Sequence, residues 1–132
     1  MDKENSSACP GLIVESHALF RDGLALLLKR RIGCECIQAG SLVEARRILD
    51  NLSSGVDLAV VDLDLPEGDA TALIEDLREL EVPVLALTGG RGLEQRARAW
   101  EVGADEVLST AADTEKIIRA VERCNARLAR KR

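Results

Sequence analysis

The feature that most constrains this chain is an alternation in which short apolar runs take turns with longer stretches of helical period. Leu12-Ile13-Val14 is the first run. Ser16 is expected to cap a helix whose apolar face carries Leu19, Phe20, Leu24, Leu27 and Leu28, with Gly33 stopping it. Cys34 to Ala39 reads as the second strand, and Ser41-Leu42-Val43-Glu44 as a capping box. That box opens a helix with the stripe Leu42, Ala45, Ile48, Leu49 and Leu52. Leu58 to Val61 is continuously apolar and ends in Asp62, the pattern of a strand buried on both faces. Pro66 and Gly68 force a loop, Asp69 is expected to cap a helix to about Leu80, and Pro83 to Leu87 forms the fourth strand. A helix carrying Trp100 closes at Gly103, Glu106 to Leu108 makes the fifth strand, and Asp113 caps the last helix. Alternation of this kind predicts a doubly wound, five-stranded parallel α/β sheet with helices on both faces. It forms one domain over 11–130, after a polar tail over 1–10 expected to be disordered.

Composition narrows what such a domain can do. Aromatic residues are 2% of the chain and net charge is −5, which argues against base-stacking platforms and against direct nucleic-acid binding. With His17 as the single histidine, a histidine-rich metal site is excluded. The acidic start of the chain is no signal peptide, and the runs Leu24 to Leu28 and Val82 to Leu87 are too short to span a bilayer. A cytoplasmic location and no membrane partner are expected. The four cysteines are read as free thiols in a reducing cytosol, with Cys34 and Cys36 expected on opposite strand faces and sharing neither metal nor disulfide.

In an open parallel sheet, ligand chemistry collects at the carboxyl ends of the strands. Those ends deliver Glu15 and Ser16, Asp62 with Asp64 two residues on, Thr88, and Ser109 with Thr110. Oxygen-only ligands of that kind suit a hard cation such as Mg²⁺. Gly90-Arg91-Gly92 lacks the third glycine of a dinucleotide fingerprint, and neither a P-loop nor a Gly-x-Ser-x-Gly elbow is present. No base, nucleophile and orienting group occur together, so the chain is not read as an enzyme on an external substrate.

Four segments then resemble the receiver domain of bacterial two-component response regulators, the flavodoxin/CheY-like fold of strand order 2-1-3-4-5. They are Leu12 to His17, Val60 to Pro66, Val84 to Thr88 and Gly103-Ala104-Asp105. The stretch His17 to Leu24 further resembles receivers attached to helix-turn-helix transcriptional regulators. This resemblance implies that Asp62 is the phosphoacceptor for a sensor histidine kinase and that Thr88 is the switch hydroxyl. It also implies Mg²⁺ held by Glu15, Asp62 and the backbone carbonyl of Asp64. Three family positions are replaced: the second acid by Ser16, the lysine after strand five by Thr110, and the aromatic switch by Val107. The expected function is a signalling module that associates with a partner or with itself as a homodimer, through the face between helices four and five. The alternative is a phosphorylation-independent pseudo-receiver that dimerises or binds a small molecule.

Three further features have two readings each. His17 is read as solvated or structural near the site mouth rather than catalytic. Trp100 serves an interface or a half-buried core. Arg119, Arg123 and Arg127 line one face of the last helix, complementing its dipole or forming a dimer seam.

Overall fold

The computed structural model describes residues 9–52, 55–89 and 93–131, with side chains to residue 126. The expected tail as far as residue 8 and the Gly90-Arg91-Gly92 loop lie outside the described residues. The elements run β1 (Pro10–Val14), α1 (Ala18–Ile32), β2 (Glu35–Ala39), α2 (Leu42–Asn51), β3 (Leu58–Asp62), α3 (Thr71–Glu79), β4 (Val84–Thr88), α4 (Leu93–Glu101), β5 (Glu106–Ser109) and α5 (Thr114–Lys131). All four strand pairings are parallel, in the order β2-β1-β3-β4-β5. The doubly wound sheet expected from the alternation is therefore present.

Strand alternation divides the core into two layers. Leu12, Val14, Ala59, Val61, Val84 and Ala86 pack with Ala45 of α2, Leu73, Ile74 and Leu77 of α3, and Ala99 of α4. Ile13, Leu58, Val60, Leu85 and Leu87 face the other way, against Leu24 and Leu28 of α1 and Ile117, Ile118 and Val121 of α5. β3 and β4 are buried along their whole length, which explains why each reads as an unbroken apolar run.

Local signals hold in most places. Ser41 Oγ accepts from Glu44 N at 3.1 Å, while Glu44 Oε1 reaches back to Gly40 N at 2.6 Å. Gly33 takes φ +76° and closes α1 as a left-handed cap. Asp113 Oδ1 accepts from Lys116 N at 3.0 Å and caps α5.

Five expectations are corrected. β1 begins at Pro10, which pairs with Glu35, so the last tail residue belongs to the sheet. The N-cap of α1 is His17 rather than Ser16, and its side chain makes no capping bond. Leu19 is 88% exposed. It lies five residues before Leu24, roughly 140° round the helix from the buried stripe. α3 starts after Ala70, although Asp69 Oδ1 still accepts from Thr71 N and Oγ1. Finally, Cys34 and Cys36 lie on the same face, with sulfurs 3.9 Å apart, because residues i and i+2 of an extended chain point the same way.

Candidate functional site

The chain order reverses between β1 and β3, and the crevice beyond their carboxyl ends is lined by Glu15, His17, Phe20, Asp62, Asp64, Gly89 and Thr110, with a volume of about 320 Å³. Glu15 follows β1 and Asp62 ends β3, and each is 3% exposed. One oxygen of Glu15 accepts twice from His17, from the backbone N–H at 2.8 Å and from the ring Nδ1 at 2.7 Å. The Glu15 carbonyl accepts from Arg21 Nη1 at 2.8 Å, and Arg21 Nε donates to Gln38 at 3.0 Å. Asp62 Oδ1 accepts from Asp64 N at 2.9 Å. The Asp64 carboxylate accepts from Gly89 N at 2.5 Å, tying the loop after β3 to the end of β4.

Burial pushes the Asp62 carboxyl up from 3.8 to about 6, with the neighbouring Glu15 and Asp64 charges adding to the rise. The Glu15 hydrogen bond and charge raise the exposed His17 imidazole above its usual 6.5. Ligand atoms of Glu15, His17 and Asp62 all lie within 4.8 Å of one another. Two buried carboxylates repelling each other at the crevice wall form a site that gains from a divalent cation, so these residues fit a hard ion. No lysine lines the crevice among the described residues.

Of the residues singled out from sequence, Glu15, Asp62 and Asp64 are brought together, and Thr110 joins them at the rim. Thr88 is fully buried, and its hydroxyl meets Gln95 Oε1 at 3.5 Å instead of lining the crevice. Gln95 in turn donates to the Leu63 carbonyl at 2.8 Å, linking α4 to the loop beside Asp62. Gln95 was not singled out in the sequence, where nothing marks a polar residue on an exposed-looking helix. His17, read from the sequence as solvated or structural near the site mouth, does line the crevice and bonds Glu15 two residues before it. Trp100 is 51% exposed, so it is no core residue. Arg123 makes a paired contact with Glu106 at 2.9 and 3.2 Å, so its charge is engaged within the chain.

Among the described residues, no helix is long and apolar enough to cross a membrane. Residues 12–122 match the response regulator receiver domain family. The transcriptional regulatory protein PmrA of Pectobacterium parmentieri is 36% identical over 101 residues, covering 74% of this chain and 44% of that protein. The chain thus spans about half or less of the length of such curated relatives. A CheY-like receiver from Methanospirillum hungatei superposes with a TM-score of 0.85 at 20% identity, covering 95% of this chain and 99% of that one. A Burkholderia pseudomallei response regulator, solved with a phosphorylated aspartic acid, a calcium ion and citrate, gives a TM-score of 0.76 at 26% identity over 93% of this chain and 72% of that one. Sequence match, strand order and the acidic crevice agree: this chain belongs to the response regulator receiver domain family of two-component signalling.

Proposed function

We propose that this receiver is switched by phosphorylation of Asp62 and signals by associating with a partner or a second copy through its α4–β5–α5 face. Receiver domains are generally non-enzymatic modules that interact with histidine kinases, dimerise and bind Mg²⁺. The observation that carries the proposal is the buried Asp62 carboxylate facing a crevice beside Glu15. The Asp64 amide holds Oδ1, leaving Oδ2 to attack the phosphorus of a phosphohistidine or acyl phosphate. A P–O bond to Asp62 forms as the bond to the leaving group breaks. With its carboxyl near 6, Asp62 is ionised and nucleophilic at neutral pH. The phosphorylated aspartate and calcium of the Burkholderia relative support the same assignment here.

Glu15, Asp62 and the carbonyl of Asp64 would hold Mg²⁺, which offsets charge between the attacking oxygen and the phosphoryl group. Ser16 and Thr110 stand where the family's second acid and lysine are expected, making the site atypical. The phosphoryl charge then falls to the cation and to His17, the basic side chain among the described residues that line the crevice. Exposed Leu93 and Trp100 on α4 support association at the proposed face, and a transcriptional output would fit the relatives' names.

The engagement of the Thr88 hydroxyl with Gln95 favours a second reading, a pseudo-receiver that associates without phosphorylation. Intact mass after incubation with Mg²⁺ and acetyl phosphate separates the two. A single phosphoryl adduct, absent in Asp62→Asn, is the expected result. No adduct, with association unchanged by the phosphodonor, overturns it in favour of the pseudo-receiver.

A further inference from the structure

At the opposite end of the sheet from the crevice, three cysteines meet. Cys9 precedes β1 and Cys34 precedes β2, and the register Pro10↔Glu35 continues backward to set Cys9 against Cys34. The ladder bond from Glu35 N to the Cys9 carbonyl, 3.0 Å, holds that alignment. The Cys34 thiol donates to Cys9 Sγ at 3.1 Å, and Cys36 Sγ lies 3.9 Å from Cys34 Sγ. Neighbouring strands sit about 4.7–4.9 Å apart, within the span of about 4.4–6.8 Å that a disulfide bridges between its Cα atoms.

Gly11 keeps the space open. A Cβ there would stand 3.0 Å from both Cys34 Sγ and Cys36 Sγ, so any side chain at this position would crowd the sulfurs. Cys34 is fully buried, whereas Cys9 and Cys36 are half-buried. The Cys36 contact and burial push the Cys34 thiol up to about 12, which keeps it protonated and unreactive by itself. The first attack therefore falls to a half-buried thiol: the Cys34 contact lowers the Cys36 thiol, but Cys9 is the one whose sulfur lies 3.1 Å from Cys34 Sγ, placed for Cys34 to resolve it.

We propose that Cys9 and Cys34 form a peroxide-driven disulfide that pins the start of β1 to the start of β2. The Cys9 sulfur attacks one oxygen of the peroxide; the S–O bond forms, the O–O bond breaks, and the leaving oxygen takes the thiol proton. Cys34 then attacks the sulfenic sulfur of Cys9, the S–S bond forms, and the displaced hydroxide leaves with the Cys34 proton as water. Two thiols lose two electrons, and the peroxide is reduced by two. A cellular thiol such as glutathione reverses the change by exchange.

The test treats the full chain with stoichiometric hydrogen peroxide, then alkylates, digests with trypsin without reduction and maps by mass. The intact chain is expected to lose the mass of two hydrogens, and peptide 4–21 is expected to be linked to peptide 32–46. Cys36→Ser is expected to keep the link and Cys9→Ser to abolish it. In Cys34→Ser, dimedone is expected to trap the Cys9 sulfenic acid; Cys9→Ser carries the test should that variant not fold. The oxidised chain is expected to melt at a higher temperature and to return on reduction. A link inside peptide 32–46, a link between two chains, or thiols that all remain alkylatable overturns the proposal.

Discussion

His17 Nδ1 lies 2.7 Å from Glu15 Oε2, joining an imidazole that is 80% exposed to a carboxylate that is 3% exposed. Ser16, between the two, carries no carboxylate, and His17 supplies both a backbone and a ring nitrogen to the buried oxygen. That contact holds Glu15 at the crevice wall, beside Asp62.

The pair can be read directly by NMR, because His17 is the single histidine. Its ring resonances are expected to titrate above 6.5 in the native chain and to fall back toward 6.5 in Glu15→Gln, since the Glu15 hydrogen bond is the main cause of the rise. Saturating Mg²⁺ is expected to lower the titration as well, by drawing Glu15 charge to the cation. An unchanged midpoint in Glu15→Gln would show that the contact does not exist in solution.

Asp62 sets a dependence of stability on pH. Folding raises its carboxyl from 3.8 to about 6, so the folded chain holds extra proton between those values. Stability from this group therefore falls as pH rises through that window, and the full cost is present above it. Asp62→Asn removes the buried charge and is expected to stabilise the fold at pH 8 by up to about 3 kcal/mol. The gain should shrink below pH 4. Urea denaturation of both chains across pH 4 to 8 checks this, and a gain that does not vary with pH would contradict it.

Two helices end alike with different residues. After α4, Gly103 at φ +111° donates to the Trp100 carbonyl while Ala104 donates to the Ala99 carbonyl. After α3, Glu81 at φ +62° makes the same closure, with its N–H on Arg78 and that of Val82 on Leu77. A non-glycine residue in the left-handed region costs about 1–2 kcal/mol, partly offset by the greater unfolded entropy of glycine. Glu81→Gly is thus expected to stabilise by about 0.5 kcal/mol. Gly103→Ala is expected to destabilise by about 1–2 kcal/mol. Its Cβ would clash with Arg78 Cδ, so an Arg78→Ala background separates the clash from the backbone strain. Thermal denaturation of the parent and these variants decides, and equal effects of both glycine changes would refute the assignment.

Fold and site were legible to different depths. The unbroken runs of β3 and β4 announced strands covered on both sides, and Asp62 at the end of one placed the candidate nucleophile. Ser41 with Glu44, Gly33 and Asp113 marked boundaries because each acts through hydrogen bonds or backbone angles within a few residues of itself. Ser16, Leu19 and Asp69 misled by a residue or by a helix face, since neither the entry angle of a helix nor its rotation on the sheet is a local property.

By itself, then, the sequence determined the order of elements, the parallel sheet and the acidic strand ends, all of which follow from period, polarity and turn chemistry along the chain. The tertiary structure alone decided that Thr88 meets Gln95, that Arg21 reaches Gln38, and that the Cys9 and Cys34 sulfurs sit against each other. Those relationships depend on strand register and on how each helix is seated against the sheet. Both are settled when the two core layers pack, by contacts between residues far apart in the chain.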